Sequence, residues 1–322
     1  MLCIIQSNTE PYYNMAVEEY LLNNFEEDIF LLWQNEPVVV VGRYQNTIAE
    51  INLDFIKEKG VKVVRRLTGG GAVFHDLGNL NFTFIKNGAD ADFKVFTQPI
   101  IGLLNSLGVD ARFEGRNDIT IDGKKISGNA MLVSNNRTME HGTLLFSSQM
   151  ADLSAALKTN PLKFEDKAVK SIRSRVTNIS EYLKTAMDVI EFRDRIMDYI
   201  IENEQGCTKY DFTEDDTQNI TKLKNEKYET WDWNFGTSPS YSFAKMIRTT
   251  GGNVEIHMNI LKGVISEIKL FGDFFGKNIN KLEERLKGTP HNENAVANKL
   301  NEIGLADYLN NINTEELLKG FF

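Results

Sequence analysis

The sequence predicts an α+β fold, with a large mixed-sheet domain over residues 1–244 and a smaller α+β domain over residues 245–322. Three observations predict it. In the first part of the chain, short β-rich runs and helical periodicities follow one another without a regular βαβ rhythm. Helical spacing then dominates from Met150 to about Asn225. Beyond YETWDWNFGTSPSYSF the pattern restarts with two or three strands and closes in helices, within the size of a separate domain.

Each element has its own signal. Residues 14–22 carry apolar side chains at helical spacing, and IFLLWQ and PVVVVGR follow as strands parted by the turn Asn35-Glu36-Pro37. NLDFIKEKG reads as a helix with Asn52 as N-cap and Gly60 at its end. VKVVRR is a strand, three glycines interrupt, and NLNFTFIK alternates with period two. A helix over residues 97–106 precedes the β-leaning pieces ARFEG, DITID, KKISGNAMLVS and GTLLFS, with Asp122-Gly123 as a hairpin turn. In the second domain, GNVEIHMNILKGVISEIKLFG reads as a hairpin turning at Lys262-Gly263, and INKLEERLKG and NTEELLKGFF are amphipathic. Trp231 and Trp233, two apart, read as one strand face packing between the domains.

Composition narrows the classes of function. At 322 residues and 42% hydrophobic the chain is an ordinary globular protein. A net charge of -9, from 45 acidic and 36 basic side chains, argues against nonspecific binding to nucleic acid or anionic lipid. Cys3 and Cys207 form no CxxC and have no histidine at zinc spacing, so neither a disulfide framework nor structural zinc is expected. There is no basic leader and no apolar run approaching the ~20 residues that span a bilayer. A cytoplasmic monomer is the expectation.

Two stretches carry chemistry. In RRLTGGGAVFHD, Gly69, Gly70 and Gly71 allow successive amides to point into one concavity suited to anionic oxygen, with Arg65 and Arg66 placed to add charge. A plain connection between strands is the alternative, and the pattern is neither a P-loop nor a Rossmann fingerprint. In GRNDITIDGKKISGNAM, Asp118 opens a strand where Mg²⁺ on a phosphate would find an oxygen ligand. Only one of Lys124 and Lys125 can face inward, because side chains alternate along a strand. Gly128, inside that strand, suggests that something approaches the backbone there.

Taken together, RRLTGGGAVFHDLGN, GRNDITIDGKKISGNA and HGTLLF resemble the lipoate-protein ligases, of the biotin/lipoate-ligase superfamily. NMAVEEY, LLWQNEPVVVVGRYQN, KSIRSRVTNIS and WDWNFGTSP match in the same order, and the likeness extends to the small accessory domain of bacterial two-domain members. It implies a ligase that activates lipoate, and octanoate, with ATP to an acyl-adenylate and pyrophosphate, then transfers the acyl group to a lysine. The implied acceptors are lipoyl-domain proteins, namely the E2 subunits of 2-oxoacid dehydrogenases and the glycine cleavage H protein. ATP and Mg²⁺ are implied as co-substrate and ion, with no tightly bound cofactor.

Residue by residue, the resemblance implies Lys125 as the catalytic lysine, touching both carboxylate and adenylate phosphate. It implies lipoate contacts at Trp33, Arg43, Arg66, Thr68, Gly69, Gly70, Gly71 and His75. ATP contacts are implied at Gly71, Ala72, Phe74, Asn117, Asp118, Lys125, Ser127 and Ala130, with Asp118 also toward magnesium. Val40, Leu67 and Phe74 join Trp33 as plausible walls for the aliphatic chain, whose about six methylenes would contribute roughly 5 kcal/mol on burial. His75 is expected to bond Asp76 or a backbone carbonyl to fix its loop, with proton transfer as the alternative, and His141 to border the nucleotide, whereas His257 and His291 receive no chemistry. The basic Lys170, Arg173 and Arg175 begin a helix capped near Asn178 or Ser180, or else contact ATP or the acceptor.

Rival readings are an ATP-independent lipoyl or octanoyl transferase, a biotin-protein ligase and a noncatalytic lipoate-binding protein. The transferases use a cysteine nucleophile, whereas Cys3 and Cys207 lie outside every matching motif. The GRGRRG-type loop of biotin ligases is replaced by GGGAVFH.

Overall fold

The computed structural model describes residues 1–89, 92–157, 176–238 and 240–322. The expectations for Lys170, Arg173 and Arg175 lie outside the described residues. Two compact units divide the chain: residues 1–45 with 50–230, and residues 46–49 with 231–322.

In the first unit the strands are β1 (Leu2–Ile5), β2 (Ile29–Trp33), β3 (Val38–Val41), β4 (Lys62–Arg65), β5 (Val73–His75) and β6 (Asn79–Asn87). They continue with β7 (Ala111–Glu114), β8 (Asp118–Ile121), β9 (Lys124–Ser134), β10 (Arg137–Leu145) and β11 (Thr208–Lys209). Eight of them form one mixed sheet in the order β11-β1-β2-β6-β10-β9-β8-β7, parallel at the β11-β1-β2 end and antiparallel beyond. β4-β3-β5 make a separate small sheet. The sequence predicts β2 and β3 as neighbours across a turn, yet they enter different sheets, and the site lies where those sheets meet.

One face of the large sheet packs on the helices Phe93–Ser106 and Val189–Asn203 through Phe30, Phe82, Phe84, Ile100, Leu104, Phe192 and Ile196, all fully or nearly fully buried. The first helix starts at 93, earlier than the spacing predicts, because Asp92 caps the amide of Lys94. The helix Pro11–Asn24 is buried along most of its length and carries Met15 and Glu18 to the site. Asn52 caps the helix Leu53–Lys59, and Gly60 ends it at φ 64°. At Asn178 the expected helix is a short 3₁₀ turn, Ile179–Tyr182, and the Asn178 side chain bonds Ser148 across the chain instead of capping.

In the second unit β12 (Tyr241–Thr249), β13 (Gly252–Leu261) and β14 (Val264–Gly272) form an antiparallel meander. Alternate residues of β13, Val254, Ile256, Met258 and Ile260, face a core closed by Leu282, Leu286, Val296, Leu300 and Leu317. Lys262 and Gly263 turn the hairpin at φ 52° and 72°, as a two-residue loop requires. A division at 244/245 would cut β12, which pairs with β13 over its full length. Trp231 and Trp233 are not on a strand: Asp232–Gly236 is a π-helical turn, with Trp231 stacked on Phe235.

Candidate active site

β4 and β5 lie on opposite sides of β3, so residues 66–72 must cross over the end of β3. The crossing is held by Arg66 N–H to Val41 O and Arg43 N–H to Thr68 O. At Gly42 a Cβ would overlap the Gly70 carbonyl, and Gly70 itself sits at φ +93° with the Arg66 guanidinium 2.9 Å from where a Cβ would lie. A Cβ on Gly71 would meet no protein atom within 4 Å, and one on Gly69 only the Tyr44 ring at 3.8 Å. Of the three, only Gly70 is required by the protein's own backbone and packing.

The two arginines serve the loop before any ligand. Arg66 is buried and bonds Thr68 Oγ1 and the carbonyls of Val40, Gly69 and Gly71. Arg65 sends one guanidinium nitrogen to the carbonyls of Gly42, Arg43 and Gln45, and it does not line the cavity. Burial lowers both to about 10. Their work is to fix carbonyls that would otherwise be unpaired.

β8 and β9 supply the cation. Asp122 and Gly123 turn the hairpin at φ 51° and 69°. Thr120 pairs with Lys125 but Ile119 with Ser127, so a bulge at Ile126 shifts the alternation. Ile126 enters the core, and Lys125 comes onto the same face as Gly128. A Cβ on Gly128 would stand 2.7 Å from Lys125 Nζ, so what approaches the backbone there is the lysine's own side chain. Lys125 crosses over Gly128 to Asp118, 2.8 Å away, while Lys124 points outward to Tyr182.

A cavity of about 180 Å³ lies between the small sheet, the large sheet and the helix Pro11–Asn24. Of the residues singled out from the sequence, Trp33, Val40, Arg66, Gly70, Gly71, Ala72, His75, Asn117, Lys125 and Ala130 line it. Phe74 and Leu67 do not. Phe74 follows Val73 and precedes His75 on β5, and since those two face the cavity, alternation turns Phe74 into the core. Ser127 is fully buried with its hydroxyl toward Asn129 Oδ1. Arg43, Thr68, Gly69 and Asp118 are not among the lining residues.

Thr68 connects the loop to a buried polar chain. Its hydroxyl meets His141 Nε2 at 2.7 Å, and His141 Nδ1 meets Glu18 at 2.8 Å. Glu18 also accepts from Thr83, whose oxygen accepts from Trp33 Nε1. His75 bonds Asn35 and not Asp76, whose carboxylate instead takes the amides of Gly78 and Gln149. Met15, Val73, Asn81, Asn129 and Thr143 also line the cavity and escape the sequence reading. Period two from His75 picks out Val73, and from Thr83 it picks out Asn81.

Among the described residues no group of three or more His, Cys, Asp or Glu is placed to hold a metal. Asp118, the expected magnesium ligand, spends its carboxylate on Lys125. The arrangement is an apolar-walled pocket with one ammonium at its rim, suited to an acid with a hydrocarbon body.

Comparisons with known proteins agree. The family model of the lipoyl protein ligase A/B catalytic domain matches residues 10–201, and that of the bacterial lipoate protein ligase C-terminus matches residues 238–321. Lipoate-protein ligase LplJ of Bacillus subtilis is 43% identical over 321 residues, covering 97% of each chain. Lipoate-protein ligase 1 of Staphylococcus aureus is 43% identical over 317 residues, covering 97% of this chain and 96% of its own. Among solved structures, the bipartite lipoate protein ligase of Thermoplasma acidophilum, described with its E2 lipoyl domain, has a TM-score of 0.65 at 29% identity, covering 73% of this chain and 96% of that one. A lipoate-protein ligase A bound with ATP has a TM-score of 0.65 at 27% identity, covering 73% of this chain and 98% of that one. With a pocket of the right chemistry and matches to both family models, this chain belongs to the lipoate-protein ligase family.

Proposed function

We propose that the protein is an ATP-dependent lipoate-protein ligase. Lipoate lies in the cavity with its aliphatic chain against Trp33, Val40 and Met15 and its carboxylate at Lys125. The carboxylate oxygen attacks the α-phosphorus of ATP, the bond to the bridging oxygen breaks, and pyrophosphate leaves. The reacting anions repel, and the Lys125 ammonium offsets that repulsion by moving from Asp118 to the substrate oxygens. Arg66 holds the glycine loop beside the same oxygens through the Gly69 and Gly71 carbonyls. A lysine amine of the acceptor then attacks the acyl carbon, AMP leaves, and the amine loses its proton.

The single observation that carries this reading is Lys125 on the cavity rim, put there by the bulge at Ile126 and the missing side chain of Gly128. Neither thiol supports an acyl-cysteine route. Cys3 is buried in the core and its thiol is pushed up to about 12 by burial and by Cys207, and Cys207 does not line the cavity. Magnesium belongs to this proposal as the companion of ATP's phosphates; among the described residues no group of three or more His, Cys, Asp or Glu builds a site for it. Among the described residues no helix is long and apolar enough to cross a membrane, in keeping with a cytoplasmic enzyme. E2 lipoyl domains and the glycine cleavage H protein are the proposed acceptors.

The test is pyrophosphate release followed by mass spectrometry of a lipoyl domain. Release that needs both ATP and lipoate, with a lipoyl mass added to the domain, supports the ligase. Acylation from a lipoyl-protein donor without ATP would replace it with a transferase.

A further inference from the structure

His75 and Asn81 line the cavity, His75 Nε2 and Asn81 Nδ2 are buried without a partner among the described residues, and the hydrogen on the first can be assigned. The Gln34 backbone carbonyl only accepts, so the Asn14 atom 2.8 Å from it is the amide nitrogen. That nitrogen also stands 2.9 Å from Asn35, which makes the facing Asn35 atom the oxygen. Asn35 therefore turns its NH₂ toward His75 Nδ1, 3.1 Å away, and Nδ1 accepts. Burial, with Arg66 and His141 nearby, pushes the imidazole down to about 3, so the ring is neutral and its one hydrogen sits on Nε2.

The place of that hydrogen follows from the sheet. Lys125 is on β9 and Trp33 on β2, with β10 and β6 between them, a distance of about 14 Å across three strand spacings. His75 lies edge-on to Trp33, ring centroids 5.9 Å apart. An acid whose carboxylate meets Lys125 extends its far end toward this corner.

We propose that Asn14 and Asn35 are positioning residues that lock His75 as an Nε2–H donor, and that this donor meets a dithiolane sulfur, so that the site selects lipoate over octanoate. The inference rests on the ligase reading. Octanoate would bring a methyl group and leave the buried N–H unpaired, whereas sulfur is a weak acceptor. Asn81, paired across from Trp33, sets a second polar atom beside the same corner.

The experiment compares lipoate and octanoate adenylation in wild type, His75→Phe, His75→Gln and Asn35→Leu, alongside ¹⁵N–¹H spectra of the imidazole. Wild type should favour lipoate in kcat/KM by roughly three- to tenfold. His75→Phe should raise KM for lipoate several-fold more than for octanoate, and His75→Gln, which keeps an N–H, should restore part of the difference. The wild-type spectrum should show hydrogen on Nε2 and none on Nδ1, and Asn35→Leu should admit the other tautomer and weaken the preference. Equal losses for both acids in His75→Phe, no wild-type preference, or hydrogen on Nδ1 would overturn the proposal. Failure of the wild type to adenylate either acid would overturn the ligase reading as well.

Discussion

At the scale of single residues, the glycine run shows what a sequence reveals and what it hides. Three successive glycines announce a close approach, but not that Gly70 answers to backbone conformation and Arg66, whereas Gly71 leaves space empty of protein. Their substitutions should therefore separate. Gly71→Ala should change stability by less than about 0.5 kcal/mol, yet lower adenylation by about tenfold or more as its methyl group meets the ligand. Gly70→Ala should cost about 1–3 kcal/mol in denaturant unfolding, because φ +93° strains any residue with a Cβ. A reversed order would mean that the loop is shaped by its ligand and not by β3. Phe74 turns away from the cavity because it alternates with Val73 and His75 on β5, a period of two that the motif's continuous run of matches conceals.

At the scale of elements, turns and caps were legible because their chemistry is local. Asp122-Gly123, Lys262-Gly263, Asn52 and Gly60 each satisfy a backbone need within a few residues. The bulge at Ile126 was not, because it exists only against β8, and the parting of β2 from β3 depends on partners far along the chain. Gly128→Ala should push the Lys125 ammonium off Asp118, lowering kcat with little change in melting temperature; an unchanged kcat would detach Gly128 from the lysine. Another element-level knot is Asp216, which accepts from Tyr20, Tyr210 and Thr213 and so ties the helix Glu214–Leu223 to the helix Pro11–Asn24. Burial alone would raise this carboxyl, but the hydrogen bonds hold it down at about 2. Its stabilisation is thus present above the unfolded carboxylate range near ~4 and fades as pH falls toward 2. Asp216→Ala should cost about 1.5–3 kcal/mol at pH 7 and progressively less below pH ~4, read from paired melts.

For the molecule as a whole, the α+β class was legible from periodicity, while the division into units was placed by strand pairing that the sequence does not display. Polar residues inside the core were equally hidden. Glu140, fully buried opposite Phe84 and Met131, has neither carboxyl oxygen partnered among the described residues, and burial with Glu18 nearby raises it well above the usual carboxylate range. Folding therefore holds a proton there, so this residue's contribution worsens as pH rises from the ordinary carboxylate range. Glu140→Gln should raise the melting temperature more at pH 8 than at pH 5, and a pH-independent difference would show that the carboxyl is charged in both states. The proposed chemistry turns on Lys125. Its most direct test is single-turnover formation of lipoyl-AMP by wild type and Lys125→Ala, with folding of the variant checked by thermal melt. A folded variant slowed by about a hundredfold or more, some 3 kcal/mol in the barrier, is the expected result; lipoyl-AMP formed at the wild-type rate would contradict it.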